Sequence, residues 1–162
     1  MIKPFTDNII FLDTEFSDLN PYNGEVLSIG LVKPGGEELY LELEYDGSVS
    51  DWVRQDIIPM LTAPKVSREE ARRRIKEFVG KGMPYAVAYV NQYDDVYLNK
   101  LFQGDEKPWH WLPIDFASMM FAVGLDPESQ IVESFPGYRE HNALDDAKLL
   151  RDCYMKFFEQ YK

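Results

Sequence analysis

The chain has 162 residues and a mass of 18.9 kDa, which is enough for one domain with a substantial core and too little for two domains of typical size. Its 28 acidic and 17 basic residues give a formal net charge of -11, which argues against a broad basic surface for duplex nucleic acid. The single cysteine, Cys153, excludes a disulfide framework within one chain, and the lack of a membrane-length apolar run or secretory segment predicts a cytoplasmic protein.

Three strands are predicted in the first third of the chain, where short apolar or alternating segments are separated by turn-forming residues. A Pro-Gly-Gly turn at 34–36 joins the second strand to the third, and the third alternates as expected for a strand with one exposed face. This arrangement favours an antiparallel meander. The predicted strands cover 8–13, 25–33 and 38–45.

Helices and strands alternate along the rest of the chain. The clearest helix begins at Ser67, which forms a capping box with Glu70, and ends at Gly80. A meander followed by this alternation predicts an α/β fold, with a mixed sheet of five to six strands flanked by helices in a single domain over 1–162. Further helices are predicted at 51–61, 94–102, 115–123 and 143–161, a buried strand at 85–90, a tryptophan-rich loop with a short strand at its end at 108–113, and a long loop at 126–140.

Two carboxylates end the first predicted strand. Asp13 and Glu15 are two residues apart, so both side chains point to the same side of the strand. Two carboxylates at the end of a buried strand repel each other unless a cation lies between them. A strand-end cap or a pair of solvated acids would explain the same two residues without a metal.

The helix predicted at 94–102 begins with two aspartates. Asp94 lies within about 60° of the apolar stripe of this helix, whereas Asp95 points about 100° round from Asp94, toward the margin of the stripe. Asp94 is therefore predicted to be the more inward of the two. An acidic residue stabilised by the helix dipole is the structural alternative.

The final helix also begins with two aspartates. Its apolar stripe runs from Ala143 to Tyr161, with Asp146 about 60° from the centre of the stripe and Asp145 about 160° away, on the solvent side. Asn142 is predicted to be the N-cap, which gives Asp145 a structural role as the third helical residue. Asp146 has no such explanation, because an inward carboxylate in a first turn needs a cation or strong hydrogen-bond donors.

His141 directly precedes this helix, where a loop histidine can lean over a site to which the helix contributes an acid. If the four inward acids converge, they need hard cations, and oxygen ligands favour Mg2+ or Mn2+. Two such ions can stabilise the attacking and leaving oxygens of a displacement at phosphorus. With an ordinary pKa of about 6.5, His141 is suited to take a proton from the attacking water, so the pattern predicts metal-assisted phosphodiester hydrolysis. The four acids are Asp13, Glu15, Asp94 and Asp146.

Taken in order, these residues resemble the three motifs of the DEDDh 3′–5′ exonucleases, a family of the ribonuclease H-like superfamily. The motifs are FLDTEF at 11–16, then Tyr93 with Asp94, then His141 followed five residues later by Asp146. Further segments extend the resemblance over nearly the whole chain and are most similar to the small actinobacterial-type 3′–5′ exoribonucleases. These segments are EVLSIGLV, DWVRQDIIPML, YVNQYDDVYLNKLF and HNALDDA.

The resemblance implies a ribonuclease H-like fold and hydrolysis of RNA from the 3′ end, with release of nucleoside 5′-monophosphates and two Mg2+ ions that Mn2+ could replace. It also implies that Asp13, Glu15 and Asp146 hold the first metal. Asp13 would also touch the second metal, which Asp94 would hold through water. His141 would be the general base, which is the mark of the histidine subclass.

Two aromatic residues next to these motifs are implied to contact the terminal nucleotide. They are Phe16 and Tyr93, and base stacking on such rings carries no sequence preference. Proofreading relatives typically have threonine where this chain has Phe16, which moves the resemblance toward the exoribonuclease branch. The implied partner is nucleic acid with a 3′ end, RNA being favoured and DNA possible, and the implied assembly is a homodimer.

Three other functions are open at this point. A 3′–5′ exodeoxyribonuclease of the same family would use the same residues, and a catalytically silent nucleic-acid-binding domain would have lost their chemistry. An aspartate-nucleophile phosphatase would attack with Asp13, but it would be expected to carry aspartate at the position of Glu15 and would leave His141 without a role.

A few remaining residues have no place in the motifs. The basic run Arg72–Arg74 with Lys76 lies among acids on a capped helix, which indicates a solvated face more than a phosphate-binding surface. Trp109 and Trp111 are predicted to anchor the core or a loop, or to form a dimer contact. Cys153 is predicted to be a small core residue of the last helix.

Overall fold

The computed structural model describes residues 7–159; residues 1–6 and Tyr161, the last residue of the predicted apolar stripe, lie outside this range. The strands are β1 (Ile9–Phe16), β2 (Val26–Val32), β3 (Glu38–Leu43), β4 (Lys65–Val66), β5 (Tyr85–Ala88) and β6 (Ile114–Asp115). They form one sheet in the order β4-β3-β2-β1-β5-β6, in which β1 and β3 pair antiparallel with β2 and the other neighbours pair parallel. The helices are α1 (Arg68–Val79), α2 (Gln92–Leu101), α3 (Phe116–Ala122) and α4 (Ala143–Glu159).

The predicted α/β fold with its antiparallel meander and mixed sheet is confirmed. The edge strand β4 was not predicted, because two residues are too few to show alternation. The helix predicted at 51–61 is irregular, with a π-helical turn at Val53–Ile57 followed by a 3-10 turn at Ile58–Met60, where Pro59 supplies no backbone N–H. Helix α1 begins at the predicted N-cap, since the hydroxyl of Ser67 accepts a hydrogen bond from the Glu70 amide at 3.2 Å.

The sheet separates two apolar layers, and the alternation of side chains along β1 decides which helices each layer contains. Ile10 and Leu12 pack in the layer with α1 and α2, whereas Ile9 and Phe11 pack in the layer with α3 and α4. Within the described range, none of the helices is both long enough and apolar enough to cross a bilayer.

Glycine at position 30 sets the distance between β2 and the start of α4. Gly30 is the antiparallel partner of Asp13, and a Cβ at this position would lie 2.1 Å from the backbone oxygen of Ala143. Only glycine, which has no side chain, lets the backbone of β2 lie this close to the backbone of α4. The first turn of α4 is thereby held directly beside the end of β1.

Candidate active site

Strand β1 delivers two carboxylates to the layer that contains α4. Because Ile9 and Phe11 face α4, the alternation of the strand directs Asp13 and Glu15 to the same side. Carboxylate oxygens of these two acids and of Asp146 on α4 lie within 4.8 Å of one another. The structure therefore brings residues of the first and third motifs into one cluster.

Asp94 reaches the same region from the first turn of α2. It is only 4% exposed, and its Oδ1 accepts hydrogen bonds from the backbone N of Thr14 at 2.9 Å and from Thr14 Oγ1 at 2.8 Å. Its neighbour Asp95 lies nearer the surface, where a carboxylate oxygen is 2.5 Å from Nζ of Lys107. The prediction that Asp94 is the more inward of the two is confirmed.

Asp145 does not lie on the solvent side of α4, and that prediction is wrong. The residue is 5% exposed, and its Oδ2 accepts hydrogen bonds from Nε of Arg139 at 2.9 Å and from the Arg139 backbone N at 3.2 Å. The loop before α4 folds back over this side of the helix and supplies the cation. Asn142 caps the helix as predicted, since its Oδ1 accepts a hydrogen bond from the Asp145 amide at 3.2 Å.

His141 lines the same cavity as the clustered acids. Its ring packs edge-on against Trp52, with 5.1 Å between the ring centroids, so the imidazole is braced from the side of the irregular helical segment. His141 has a left-handed backbone, with φ of 61°, and so does Val90 just before α2, with φ of 58°. Each such residue costs roughly 1–3 kcal/mol, so the backbone is strained just before each of the two aspartate-bearing helices.

Tyr138 belongs to the site although sequence reasoning did not select it. Its hydroxyl donates a hydrogen bond to Oδ1 of Asp146 at 2.5 Å, and the residue lines the cavity. Burial and the bond to Asp146 raise the pKa of the Tyr138 hydroxyl above its ordinary range, so it acts as a donor at neutral pH. A tyrosine in an irregular loop has no periodicity that could have identified it.

Burial and mutual repulsion raise the pKa values of the clustered acids. Burial, followed by repulsion from Asp94, Asp146 and Glu15, raises the pKa of Asp13 well above its ordinary range. Burial raises the pKa of Glu15 to about 8 and that of Asp146 to about 6, the latter despite the bond from Tyr138. Burial also raises the pKa of Asp94 to about 7, although the hydrogen bonds from Thr14 oppose this change.

The residues present fit a hard divalent cation. The cluster of Asp13, Glu15 and Asp146 offers only oxygen ligands, which suit Mg2+ or Mn2+. Burial and mutual repulsion raise their pKa values, so a dication placed among their oxygens would relieve the repulsion. Asp94 stands beside this cluster through Thr14 and adds a fourth carboxylate.

A cavity of about 720 Å³ adjoins the acids, and several aromatic side chains line it. Both residues implied to contact the nucleotide line it, Phe16 half-buried and Tyr93 41% exposed. Their rings are stacked with centroids 6.1 Å apart, and Phe16 also stacks on Tyr97 at 4.3 Å. Trp52 and Tyr89, which sequence reasoning did not select, line the same cavity.

The basic residues of α1, the two tryptophans and Cys153 do not belong to the motifs, and the structure shows what each of them contacts. Arg73 pairs with Glu70 and Glu77 on the surface of α1, and Lys76 is 2.5 Å from Asp105, which supports the prediction of a solvated face. Trp109 is buried in the core at 3% exposure, whereas Trp111 is 76% exposed. Cys153 packs against the core layer that contains α4, as predicted, but it is only half-buried because it also lines the cavity.

Comparison with solved structures finds similar folds among exonucleases. The zinc-bound complex of Escherichia coli exonuclease I with single-stranded DNA matches with a TM-score of 0.71 and 14% identity over 95% of this chain. Exonuclease I from the moderate thermophile Methylocaldum szegediense matches with a TM-score of 0.70 and 17% identity over 94%. The complex of E. coli exonuclease I with a dT13 oligonucleotide matches with a TM-score of 0.69 and 16% identity over 93%.

The likeness covers one part of those proteins, because this chain spans about 40% of the length of each exonuclease I chain. No protein-family model and no curated protein matches the sequence. What the solved structures share with this chain is the arrangement of the mixed sheet and its flanking helices. The chain therefore has the ribonuclease H-like fold found in these exonucleases.

Proposed function

We propose that the protein is a metal-dependent 3′–5′ exonuclease that shortens RNA and releases nucleoside 5′-monophosphates. The observation that carries the proposal is the cluster of Asp13, Glu15 and Asp146, whose oxygens lie within 4.8 Å of one another in a cavity that Asp94 and His141 also line. The fold shared with exonuclease I is consistent with this chemistry.

Each residue at the centre has a chemical task in this proposal. Asp13, Glu15 and Asp146 would hold one Mg2+, and Asp94 would help to hold a second. When bound, the ions supply Lewis-acid stabilisation of the charge that develops on the attacking and leaving oxygens. His141 accepts the proton of the attacking water, because its imidazole lines the same cavity as the acids and histidine is the most common general base in enzymes.

The choice of RNA rests on the sequence resemblance to the small exoribonucleases. The specific observation in favour of DNA is that similar solved structures are complexes of exonuclease I with single-stranded DNA. A 3′–5′ exodeoxyribonuclease is therefore the second candidate. Both candidates place the same acids and the same histidine at the reacting phosphate, so they differ only in how the ribose is recognised.

The decisive experiment is digestion of matched RNA and DNA oligomers, labelled at the 5′ end, with Mg2+ or Mn2+. A ladder that shortens from the 3′ end is expected, with RNA shortened faster than DNA, and internal cuts would overturn the exonuclease assignment. Asp13→Asn should abolish release of mononucleotides, and His141→Ala should lower its rate by roughly 10²- to 10⁴-fold.

The same experiment separates the remaining alternatives. A silent binding domain would retain the oligomers without shortening them, and Asp13→Asn would then change nothing. A phosphatase would yield a trapped phospho-aspartate at Asp13, whereas the nuclease would yield none. The residues beside Asp13 favour the nuclease, because a phosphatase would be expected to carry aspartate at the position of Glu15 and would leave His141, which lines the same cavity, without a role.

We also propose that the protein forms a homodimer. The support is the family resemblance together with the exposed pair Trp111 and Leu112, which are 76% and 40% exposed on the segment before β6. Sedimentation velocity should give a dimer for the native chain and a weakened dimer for Trp111→Ala. A monomer at every concentration would contradict this part of the proposal.

A further inference from the structure

A buried carboxylate lies away from the cavity, on the face of the sheet that α4 covers. Glu42 on β3 is the antiparallel partner of Ser28, which is in turn the partner of Glu15, so the three side chains stand in one row on the same face. The side chain of Glu42 is 0% exposed, and the residue does not line the cavity. A buried charge is costly unless it is paired and hydrogen-bonded, so Glu42 needs partners inside the protein.

The surroundings of Glu42 keep it charged. Its Oε2 is 2.6 Å from Nζ of Lys65, and its Oε1 accepts hydrogen bonds from the backbone N of Ala63 at 2.9 Å and from the hydroxyl of Tyr40 at 3.0 Å. Burial alone would raise the pKa of Glu42, but these bonds hold it below its ordinary value. At neutral pH, Glu42 is therefore an anion fixed by three donors.

This anion sets the direction of a chain of hydrogen bonds that leads to α4. Burial, together with the charge of Glu42, raises the pKa of the Tyr40 hydroxyl above its ordinary range, so its single proton stays and points to Glu42. The lone pairs of the hydroxyl are then left for a donor. Nδ2 of Asn142 is such a donor, through a long hydrogen bond of 3.5 Å that joins β3 to the start of α4.

Asn142 is thereby held from both ends of its side-chain amide. Because Nδ2 faces Tyr40, Oδ1 faces the first turn of α4, where it accepts the hydrogen bond from the Asp145 amide that caps the helix. A reversed amide would place an N–H group against the N–H of Asp145 and lose the cap. Asn142 is 1% exposed, so bulk water cannot replace either bond.

The anchored residue directly follows His141. The φ of His141 is 61°, and such a strained backbone persists only where the surrounding structure holds it in place. Trp52 contacts the imidazole on one side, and Asn142 fixes the chain on the other. If Asn142 were released, residue 141 could relax to a less strained backbone, which would turn the imidazole away from the cavity.

We propose that Glu42 is a positioning residue for His141. Its carboxylate orients the hydroxyl of Tyr40, Tyr40 orients the amide of Asn142, and Asn142 holds His141 in the left-handed backbone that presents the imidazole to the acids. The inference deepens the proposed exonuclease function and rests on it for the catalytic role of His141. None of Glu42, Tyr40 and Asn142 lines the cavity, so their effect on the reaction passes through the imidazole.

The test is a double-mutant cycle with His141. Tyr40→Phe and Glu42→Gln should each lower kcat for mononucleotide release with Mg2+ about tenfold and change KM less than about twofold, because a displaced general base affects the transition state and not substrate binding. In the His141→Ala background, the same substitutions should lower kcat less than about twofold. Equal losses in both backgrounds overturn the inference, since the effect would then not pass through His141.

Further variants test the order of the chain and its specificity. Tyr40→Phe combined with Glu42→Gln should lose no more activity than Tyr40→Phe alone, because Glu42 acts through Tyr40. Asn142→Ser keeps a capping oxygen but cannot reach Tyr40, so it should match Tyr40→Phe. The matched control is Glu25→Gln, which removes a carboxylate that forms two ion pairs away from the cavity and should change kcat less than about twofold. A loss in the control as large as in Glu42→Gln overturns the inference.

The NMR signals of the His141 ring give a readout that needs no activity. The chain has two histidines, and the His141 ring lies 5.1 Å from that of Trp52, whose ring current shifts the C–H resonances of the imidazole. Tyr40→Phe and Glu42→Gln should move these resonances toward those of a free histidine, and Glu25→Gln should not.

Failure of this inference is distinguishable from failure of the proposed function. If the native chain releases no mononucleotides, the exonuclease proposal fails, and the resonances still test whether the chain of hydrogen bonds holds the imidazole. If the native chain is active but the His141 resonances and kcat are unchanged in every variant that folds, as judged by thermal melting, the exonuclease proposal stands and only the positioning role of Glu42 is lost.

Discussion

The starts of α2 and α4 present the same sequence feature with opposite outcomes. Each helix begins with two consecutive aspartates, but in α2 the first, Asp94, joins the site, whereas in α4 the second, Asp146, does so. The four aspartates differ in the groups with which they form hydrogen bonds and ion pairs. Each site aspartate accepts a hydrogen bond from a hydroxyl, and each of the other two is paired with a cation. The hydroxyls belong to Thr14 and Tyr138, and the cations to Lys107 and Arg139.

This difference shows that burial alone does not decide which aspartate faces the cavity. Asp145 is 5% exposed and belongs to a structural ion pair, whereas Asp146 is half-buried and faces the cavity. A lysine or arginine partner neutralises the charge of a carboxylate. A hydroxyl donor orients the carboxylate without neutralising it, so the negative charge can still attract a metal ion. Of these four aspartates, the two that pair with no lysine or arginine among residues 7–159 are therefore those suited to bind a metal.

The largest expected effect separates the members of each aspartate pair. Asp94→Asn and Asp146→Asn should each lower mononucleotide release at least about 100-fold, because even an outer partner of a metal ligand is worth roughly 10- to 100-fold. Asp95→Asn and Asp145→Asn should retain activity to within a few-fold when measured per folded molecule. If Asp145→Asn and Asp146→Asn lowered the release of mononucleotides from labelled oligomers equally, the assignment of Asp146 and not Asp145 to the site would be wrong.

The pH dependence of stability should follow the uncompensated acids. The pKa of Glu15 is about 8 in the folded protein against an ordinary 4.5, so the metal-free native state binds more protons than the unfolded state between these values. Stability should therefore fall as pH rises from about 5 to about 8, by more than about 5 °C in Tm.

Mg2+ or Mn2+ should oppose this fall and raise Tm more at pH 8 than at pH 6, because the acids bind the ion in their charged form. Asp146→Asn should flatten the metal-free pH dependence, and Asp145→Asn should leave it unchanged. Differential scanning calorimetry in chelator and in metal measures both, and a metal-free Tm that rises with pH would contradict the charge strain in the cluster.

The hydroxyl donors give a smaller, matched pair of effects. Tyr138→Phe keeps the ring and removes the bond to Asp146, so we expect about tenfold weaker Mn2+ binding by titration calorimetry. Thr14→Val removes the corresponding hydroxyl bond to Asp94 while the Thr14 amide remains, so its effect should be smaller. Tighter Mn2+ binding by Tyr138→Phe would mean that the hydroxyl competes with the metal.

The smallest effects concern the two cation-paired aspartates. Asp145→Ala removes a buried acceptor from Arg139 and should lower the free energy of unfolding by about 1–3 kcal/mol. Asp95→Ala breaks a pair with Lys107 near the surface and should cost about 1 kcal/mol or less. Urea unfolding of the two variants measures the difference, and a larger loss for Asp95→Ala would contradict the assignment of Asp145 as the structural acid.

The sequence predicted what depends on local periodicity. The alternation of β1 placed Asp13 and Glu15 on one side, and the helical phase of α2 placed Asp94 inward. The same reasoning failed for Asp145, because helical phase assumes that one face of a helix is buried. The loop that carries Tyr138 and Arg139 covers a second face of α4, and an irregular loop has no period from which its return could be predicted.

The backbone is left-handed just before both α2 and α4, at Val90 and at His141. This strain affects which residues would replace His141 if the chemistry of the site were no longer needed. At the position of His141, glycine or asparagine would adopt a φ of 61° more easily than histidine does. A copy of the gene freed from its chemistry could accept either residue and become more stable, so the imidazole would be among the first features to disappear. Under the proposed function, a chain that keeps histidine at this position gives up folding free energy in exchange for its general base.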